Sequence, residues 1–408
     1  MTSASRQSVA TGRWRLHALT ALALIALSGC RPHVSDCVAP ADDSARLYLD
    51  AMDSLERSEL DAVERSLDRL LHCQPDFHAA VSARALALAL RARAAGDPSQ
   101  RAAYQQRARA ELAAGEARVR NATERFLHGV TAIRTLTVLQ DSQWLASASE
   151  AYEATRALSP EEPSLLYYRE REALPYFMAE ALAAAGEYEK ARALYAEVFA
   201  RHGVGRWNGQ AEAAWRRTDK IVRATGGITP HGLGRKIAAQ PSLSRAQLAA
   251  VLVEELELGK ILDERVGTAR GTRRAAPADV REHPYRDQIV TVLGWEVRGI
   301  ELVYDAAAQA YLFQPEAAVR RKELAIVLED LLIRITGDQS IARAFVGQEQ
   351  PLFSDVQPTA AWYNACATAV SRGLLEGDLR GAFRPDDEVE GADALLALRA
   401  LGQKITRK

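Results

Sequence analysis

The sequence predicts an all-α fold, and two features of the 408-residue chain point to it. Alanine contributes 76 residues, whereas Phe, Trp and Tyr together make up only 6%. Alanine has the highest helix propensity, and aromatic residues are typical of strands. From position 42 to about 203 the apolar residues follow helical spacing, which breaks at Gly and Pro. The chain length predicts two or three domains.

The charge balance excludes one class of partner. The chain has 52 Lys and Arg residues against 53 Asp and Glu residues, for a net charge of -1. Proteins that bind nucleic acid need clustered positive charge to neutralise the phosphates. We therefore expect no nucleic-acid partner.

The first 30 residues have the pattern of a targeting segment. Three arginines between positions 6 and 15 precede an apolar region of ten residues at 18–27, too short for a transmembrane helix, which needs about 20. The segment ends in Leu27-Ser28-Gly29-Cys30, which resembles the lipobox of bacterial lipoproteins. The resemblance implies a lipid on Cys30 and, because Arg31 rather than Asp follows, an outer-membrane protein facing the periplasm. The alternative is an ordinary secretory signal with a chance cysteine.

The other cysteines fit an oxidising compartment. Cys37 precedes the first helix of the predicted mature chain and Cys73 ends the second. The two ends of a helical hairpin lie together, so a disulfide between these two residues is geometrically plausible. Cys366 lies in an apolar segment, where we expect a buried free thiol. No Cys or His spacing indicates a metal site.

Three segments of the first half share one spacing: a small residue, a bulky residue four positions later and, in two of them, a proline eight further on. They are Ala191/Tyr195, Ala148/Tyr152/Pro160 and Val63/Leu67/Pro75. This spacing resembles the second helix of tetratricopeptide (TPR) repeats, although the signature of the first helix is poorly kept. The resemblance implies a helical-hairpin array over residues 31–208 that binds an envelope protein partner. The alternative is a generic helical array.

The second half carries a threefold pattern. Phe313-x-Pro315-x-x-x-Val319 and Phe383-x-Pro385-x-x-x-Val389 have identical spacing, and Ile237-x-Ala239-x-x-x-Leu243 is a weaker copy. The pattern resembles the S-layer homology (SLH) module. The resemblance implies three modules, at about 210–262, 277–335 and 351–402, that build a helical spindle over residues 210–408.

Local signals agree with this reading. Ser244 is a predicted helix N-cap, with Gln247 three residues later as its capping-box partner. The apolar residues that follow recur at helical spacing and predict a core-facing stripe. They are Leu248, Val251, Leu252 and Leu256.

The SLH resemblance implies binding of cell-wall glycan, because an arginine fork suits anionic groups and an indole face suits a sugar ring. The matching residues are Arg245, Arg321, Trp215, Trp362, Asp279 and Asp355. The chain departs from the pattern at several points. Module three has Gly391 in place of the arginine, module one lacks the Asp-Val pair, and module two has Tyr285 near the tryptophan position and about four extra residues before Phe313.

The sequence contains no catalytic motif, and we expect neither enzyme activity nor a cofactor. The predicted protein is an envelope lipoprotein that binds wall glycan through its SLH-like modules and recruits a protein partner through its array. The alternative is a pure protein-interaction lipoprotein of a secretion, pilus or outer-membrane assembly machine. Exposed arginines and tryptophans in clefts would favour glycan binding, and internally paired ones would favour the alternative.

Overall fold

The computed structural model describes residue 37 and residues 42–200, 205–226, 232–254, 276–378 and 380–406. Helices dominate these ranges, with one two-stranded antiparallel sheet, so the all-α prediction is confirmed. In the same ranges, no helix combines the length and apolarity needed to cross a bilayer. The predicted targeting segment with Cys30 lies outside the described residues. The chain divides into two compact units between Phe77 and His78.

The first unit is a helical hairpin of α1 (Ser44–Glu56) and α2 (Leu60–Cys73). The side chain of Asp43 accepts a hydrogen bond from the N–H of Arg46 and so caps α1. A disulfide joins Cys37 to Cys73, the pair that the sequence singled out. The bond ties the segment before α1 to the end of α2.

The second unit begins with an array of paired helices. These are α3 (His78–Ala94), α4 (Pro98–Glu116), α5 (Ala122–Leu139), α6 (Trp144–Arg156), α7 (Ala173–Ala184), α8 (Tyr188–Ala200) and α9 (Asn208–Thr225). Each helix packs on the next one along the chain, and α3, α5 and α7 also pack in series. The small and bulky residues of the repeat spacing are buried: Ala148, Tyr152, Ala191 and Tyr195. Small side chains at these positions let neighbouring helices approach closely.

A buried histidine lies where three helices of the array meet. His128 of α5 is 8% exposed, and its Nδ1 lies 2.9 Å from Oγ of Ser82 on α3. Gly115 of α4 completes the contact, since a Cβ there would lie 2.6 Å from the same Oγ. Burial lowers the pKa of His128, although Glu116 opposes the shift.

This histidine predicts a loss of stability at acid pH. Because the pKa of His128 is lower in the folded state, only the unfolded chain takes up this proton as the pH falls below about 6.5. The neutral, buried His128 is therefore fully compatible with the folded state near pH 7. As the pH falls toward 5, the free energy of unfolding decreases by up to about 1.4 kcal/mol per pH unit. We expect His128→Gln to flatten this slope in urea unfolding at pH 5–8. His78, whose pKa burial also lowers, leaves some slope in the variant. Equal slopes for the two proteins would contradict the assignment.

The remainder of the unit, residues 208–254 and 276–406, is called the threefold domain below. It contains α9, α10 (Gly232–Ala238), α11 (Arg245–Glu254), α12 (Arg286–Trp295), β1 (Val303–Asp305), β2 (Ala310–Leu312), α13 (Arg321–Thr336), α14 (Tyr363–Ser371) and α15 (Gly391–Thr406). One apolar core runs through all three modules and includes Phe313, Phe383 and Ile237 at the positions where the three copies of the pattern begin. The strands pair antiparallel, with Tyr304 opposite Tyr311.

A closed ring of backbone hydrogen bonds gives the domain its threefold character. The N–H of Leu243 donates to the carbonyl of Val389, that of Val389 to Val319, and that of Val319 back to Leu243, at 2.8–3.0 Å. These residues hold the same position in the three copies of the pattern. Two residues after each of them a core helix begins, namely α11, α13 and α15.

The predicted start of α11 is confirmed. The N–H of Ser244 donates to Oε1 of Gln247 at 2.9 Å, and the N–H of Gln247 donates to Oγ of Ser244 at 3.2 Å. Leu248, Val251 and Leu252 are buried, as the helical spacing predicts. Leu256 lies outside the described residues.

Helix α9 connects the array to the threefold domain, because it packs on α8 and on α15. Nζ of Lys220 on α9 lies 2.6 Å from Oε2 of Glu390 and 3.2 Å from Oδ2 of Asp393. At the other end of the helix, Trp207 is buried and its Nε1 donates to the carbonyl of Tyr168 at 2.8 Å. The array and the threefold domain therefore share a helix.

Candidate functional site

Arg245 joins modules one and two. It is 5% exposed; its Nε donates to the carbonyl of Phe313 at 2.8 Å, and its Nη2 donates to that of Glu301 at 2.5 Å. The guanidinium carbon lies 5.0 Å from the centre of the Phe313 ring. We call this contact the first joint. A planar fork with several donors suits two carbonyls that lie side by side.

Arg321 repeats this arrangement between modules two and three. Its Nε donates to the carbonyl of Phe383 at 2.8 Å and its Nη2 to that of Glu376 at 2.6 Å, with the guanidinium 4.9 Å from the Phe383 ring. We call this contact the second joint. Burial lowers the pKa of both guanidinium groups, which reflects their removal from water. The structure thus gives both arginines a role in joining modules, and direct contact with glycan stays a prediction.

The two aspartates of the Asp-Val pattern pin the same loops. Asp355 accepts hydrogen bonds from the N–H groups of Phe383 (2.8 Å) and Arg384 (2.6 Å). Asp279 likewise accepts from Phe313 (3.2 Å) and Gln314 (2.7 Å). Arg384 and Gln314 have φ angles of 58° and 56°, a left-handed conformation that is costly for residues other than glycine. Both oxygens of each carboxylate thus hold a strained turn in place.

The third joint, between modules three and one, has no arginine. Gly391 stands at that position, and its N–H donates to the carbonyl of Gln240 at 3.0 Å. A Cβ on Gly391 would lie 1.7 Å from the carbonyl oxygen of Ile237. Close approach of two backbones therefore replaces the guanidinium fork here and closes the ring of modules.

Trp362 lies beside the second joint. It occupies the N-cap position of α14, is half-buried, and has Nζ of Lys322 4.7 Å from its ring centre. The same Nζ lies 2.5 Å from Oδ1 of Asp386. The buried indole N–H of Trp362 donates to no acceptor within the described residues. We call this cluster of three side chains, Lys322, Trp362 and Asp386, the second groove.

The equivalent position at the first joint is chemically different. Tyr285 is the N-cap residue of α12 and lies 5.8 Å, between ring centres, from His283. Nε2 of His283 is 3.0 Å from Oε1 of Glu316, and Ala246 stands where the second groove has Lys322. This groove therefore lacks the lysine and the indole.

Trp215 does not lie at a joint. It sits in the middle of α9, and its ring packs edge-on against Phe199 of α8 at 5.6 Å between centres. The aromatic residue that precedes α9, as Tyr285 and Trp362 precede α12 and α14, is Trp207. Trp215 precedes Gly226 by eleven positions, as Trp362 precedes Gly373, so the spacing alone pairs the wrong tryptophan. The signal that identifies Trp207 is an aromatic residue directly before a helix.

Cys366 lies in the core of the threefold domain. Cys366 is a buried free thiol, as expected, and burial raises its pKa to about 12. A thiol held protonated at neutral pH is a poor nucleophile. Within the described ranges, no three His, Cys, Asp or Glu side chains group in a way that could hold a metal ion.

The comparisons with known proteins agree with the geometry of module three. Residues 352–395 match the S-layer homology domain. Neither a curated protein nor a solved structure matches the chain. The match contains Asp355, Trp362 and the second groove's Asp386, and it ends in α15. The segment 352–395 is therefore similar to the S-layer homology domain. This similarity suggests attachment to cell-wall glycan in the cell envelope and fits a non-enzymatic binding role.

Proposed function

We propose that the protein is a non-catalytic envelope lipoprotein that holds wall glycan in the second groove and recruits a protein partner through its helical array. The observation that carries the glycan step is the half-buried Trp362, which lies inside the matched segment and has Nζ of Lys322, from outside that segment, 4.7 Å from its ring centre. The lipid on Cys30 and the outer-membrane location rest on the lipobox resemblance alone. In this arrangement the protein acts as a tether or an assembly scaffold.

The second groove offers the groups that an anionic sugar polymer requires. The Trp362 ring presents an apolar face for the C–H groups of a sugar. Lys322 supplies positive charge. Its partner Asp386 has a side chain that is 75% exposed, so an incoming carboxylate can displace it at little cost. We propose that Arg321 holds this groove in shape from below rather than contacting the polymer.

Removal of the indole should abolish most of the binding. We expect Trp362→Leu to weaken co-sedimentation of the purified protein with isolated wall sacculi about tenfold. The matched control is Trp144→Leu, which removes another half-buried tryptophan, at the start of α6 in the array, and should leave pelleting unchanged. Equal pelleting of wild type and Trp362→Leu would refute the groove, and absence of pelleting by the wild type would refute glycan binding altogether.

The buried arginines favour a second candidate function. Because Arg245 and Arg321 are paired internally, the threefold domain could serve as a rigid cap on the array of a pure protein-interaction lipoprotein. Crosslinking in the native envelope separates the two functions. The glycan proposal expects wall fragments attached near Trp362, whereas the alternative expects only protein crosslinks, located on the array.

A further inference from the structure

The extra residues of module two form a β-hairpin whose base is rigidly fixed. Twelve positions separate Glu301 from Phe313, whereas seven separate the equivalent Glu376 from Phe383. The guanidinium of Arg245 holds the carbonyls at both ends of the longer segment. The insertion is therefore anchored at its two ends by the first joint.

The turn of the hairpin is also ordered by the chain itself. Oδ1 of Asp305 accepts hydrogen bonds from the N–H groups of Ala307 (2.9 Å) and Ala308 (2.8 Å). Gln309 follows with a left-handed φ of 49°. Side chains on the two strands are consequently held in a defined relative position.

Those strands present two aromatic rings to solvent. Tyr304 is 56% exposed and Tyr311 is 65% exposed, and they lie opposite each other with ring centres 5.3 Å apart. Val303, the residue before Tyr304 in β1, is 43% exposed and lies on the opposite face of the hairpin, because side chains alternate along a strand. Large apolar groups on a fixed scaffold, left in water, mark an interaction site.

The size of the patch indicates what it binds. A stable protein interface buries about 800 Å² on each partner, which is far more than two tyrosines provide. One or two sugar rings match this area, and tyrosine combines an apolar face with a hydroxyl that hydrogen-bonds in water.

Two carboxylates of the inserted segment could accept hydrogen bonds from hydroxyl groups, and a small pocket lies next to this segment in the chain. Oε2 of Glu301 accepts a hydrogen bond from the N–H of Gly299, and Oδ1 of Asp305 accepts the hydrogen bonds of the turn. In the described part of the chain, the second oxygen of each carboxylate accepts no hydrogen bond. A pocket of about 300 Å³ opens at the foot of β1, and Glu301 and Leu302 are part of its lining.

We propose that this hairpin is a second glycan-contacting element, in which Tyr304 and Tyr311 stack on sugar rings of the wall polymer while Glu301 and Asp305 accept hydrogen bonds from its hydroxyl groups. The inference rests on the proposed wall binding and extends it to a place outside the second groove. It predicts that the polymer contacts modules two and three at separate points.

The test compares three variants of the purified protein on isolated wall sacculi and on muramidase-solubilised wall fragments. Tyr304→Ala with Tyr311→Ala should weaken binding about tenfold. Tyr304→Phe with Tyr311→Phe keeps both rings and should retain most of the affinity. Val346→Ala trims another exposed apolar side chain, 68% exposed, and should change nothing.

The outcomes separate the two proposals. Wild-type binding that the double alanine variant retains in full overturns the hairpin assignment and leaves the second groove standing. Failure of the wild type to bind either probe overturns both. Light scattering gives a further outcome. If the wild type is a dimer and the double alanine variant is a monomer that still binds the wall, the tyrosine pair contacts a second copy of the chain and the glycan role is overturned.

Discussion

Replacement of Gly391 by alanine is expected to destabilise the threefold domain by about 3 kcal/mol or more. The added Cβ would lie 1.7 Å from the carbonyl oxygen of Ile237, and 2.7 Å from the carbonyl carbon, so the backbones must separate. Separation would also lengthen the hydrogen bond from the Gly391 N–H to Gln240 and strain the ring through Leu243. Urea unfolding, followed by circular dichroism, measures the change.

A glycine in the same domain provides the control for this experiment. Gly294 lies within α12, and a Cβ there would meet nothing within 4 Å. Gly294→Ala should therefore be neutral or stabilise the domain by up to about 1 kcal/mol, since alanine is the better helix former. If both variants unfold at the same urea concentration, the close approach at the third joint does not limit stability.

The same geometry explains why module three departs from the family pattern. Sequence alone presents Gly391 as a missing binding arginine, whereas the structure shows a junction with no room for a side chain. Gly391→Arg, which restores the motif, should unfold the domain at least as readily as Gly391→Ala. Two side-chain joints and one backbone joint together close the domain.

Part of this arrangement could be predicted from the sequence. The spacing from Phe313 to Val319 recurs from Phe383 to Val389 and, in a weaker form, from Ile237 to Leu243, so the sequence predicts three copies. This was possible because both the buried ring and the start of the core helix depend on local chain geometry. The capping box of Ser244 and Gln247 was predictable for the same reason. Fold class and helix starts are local properties.

The roles of the arginines could not be predicted in this way. The partners of Arg245 and Arg321 are carbonyls 55–68 positions away, and a carbonyl carries no sequence signal. An exposed binding arginine and a buried joining arginine look identical in a motif. The hairpin with Tyr304 and Tyr311 was visible only as extra length, because its exposed ring pair depends on strand register.

Arg321→Ala is expected to cost the domain about 3 kcal/mol. The carbonyls of Glu376 and Phe383 would lose their donors, at about 1–3 kcal/mol for each group left without one, and the contact with the Phe383 ring would go as well. Arg321→Lys should recover little, because one ammonium cannot reproduce two fork contacts. Urea unfolding again provides the measurement, with the exposed Arg372→Ala as a control that should stay within about 0.5 kcal/mol of wild type.

This expectation decides how wall binding must be tested. Loss of pelleting in a variant that lacks Arg245 and Arg321 would arise from opened joints as readily as from a lost glycan contact, so it cannot distinguish the two. A direct contact requires that Arg321→Lys, under conditions where it is fully folded, bind sacculi more weakly than wild type. If the arginine only joins modules, the folded lysine variant binds as well as wild type while Trp362→Leu does not, and the polymer is held by the groove rather than by the joint beneath it.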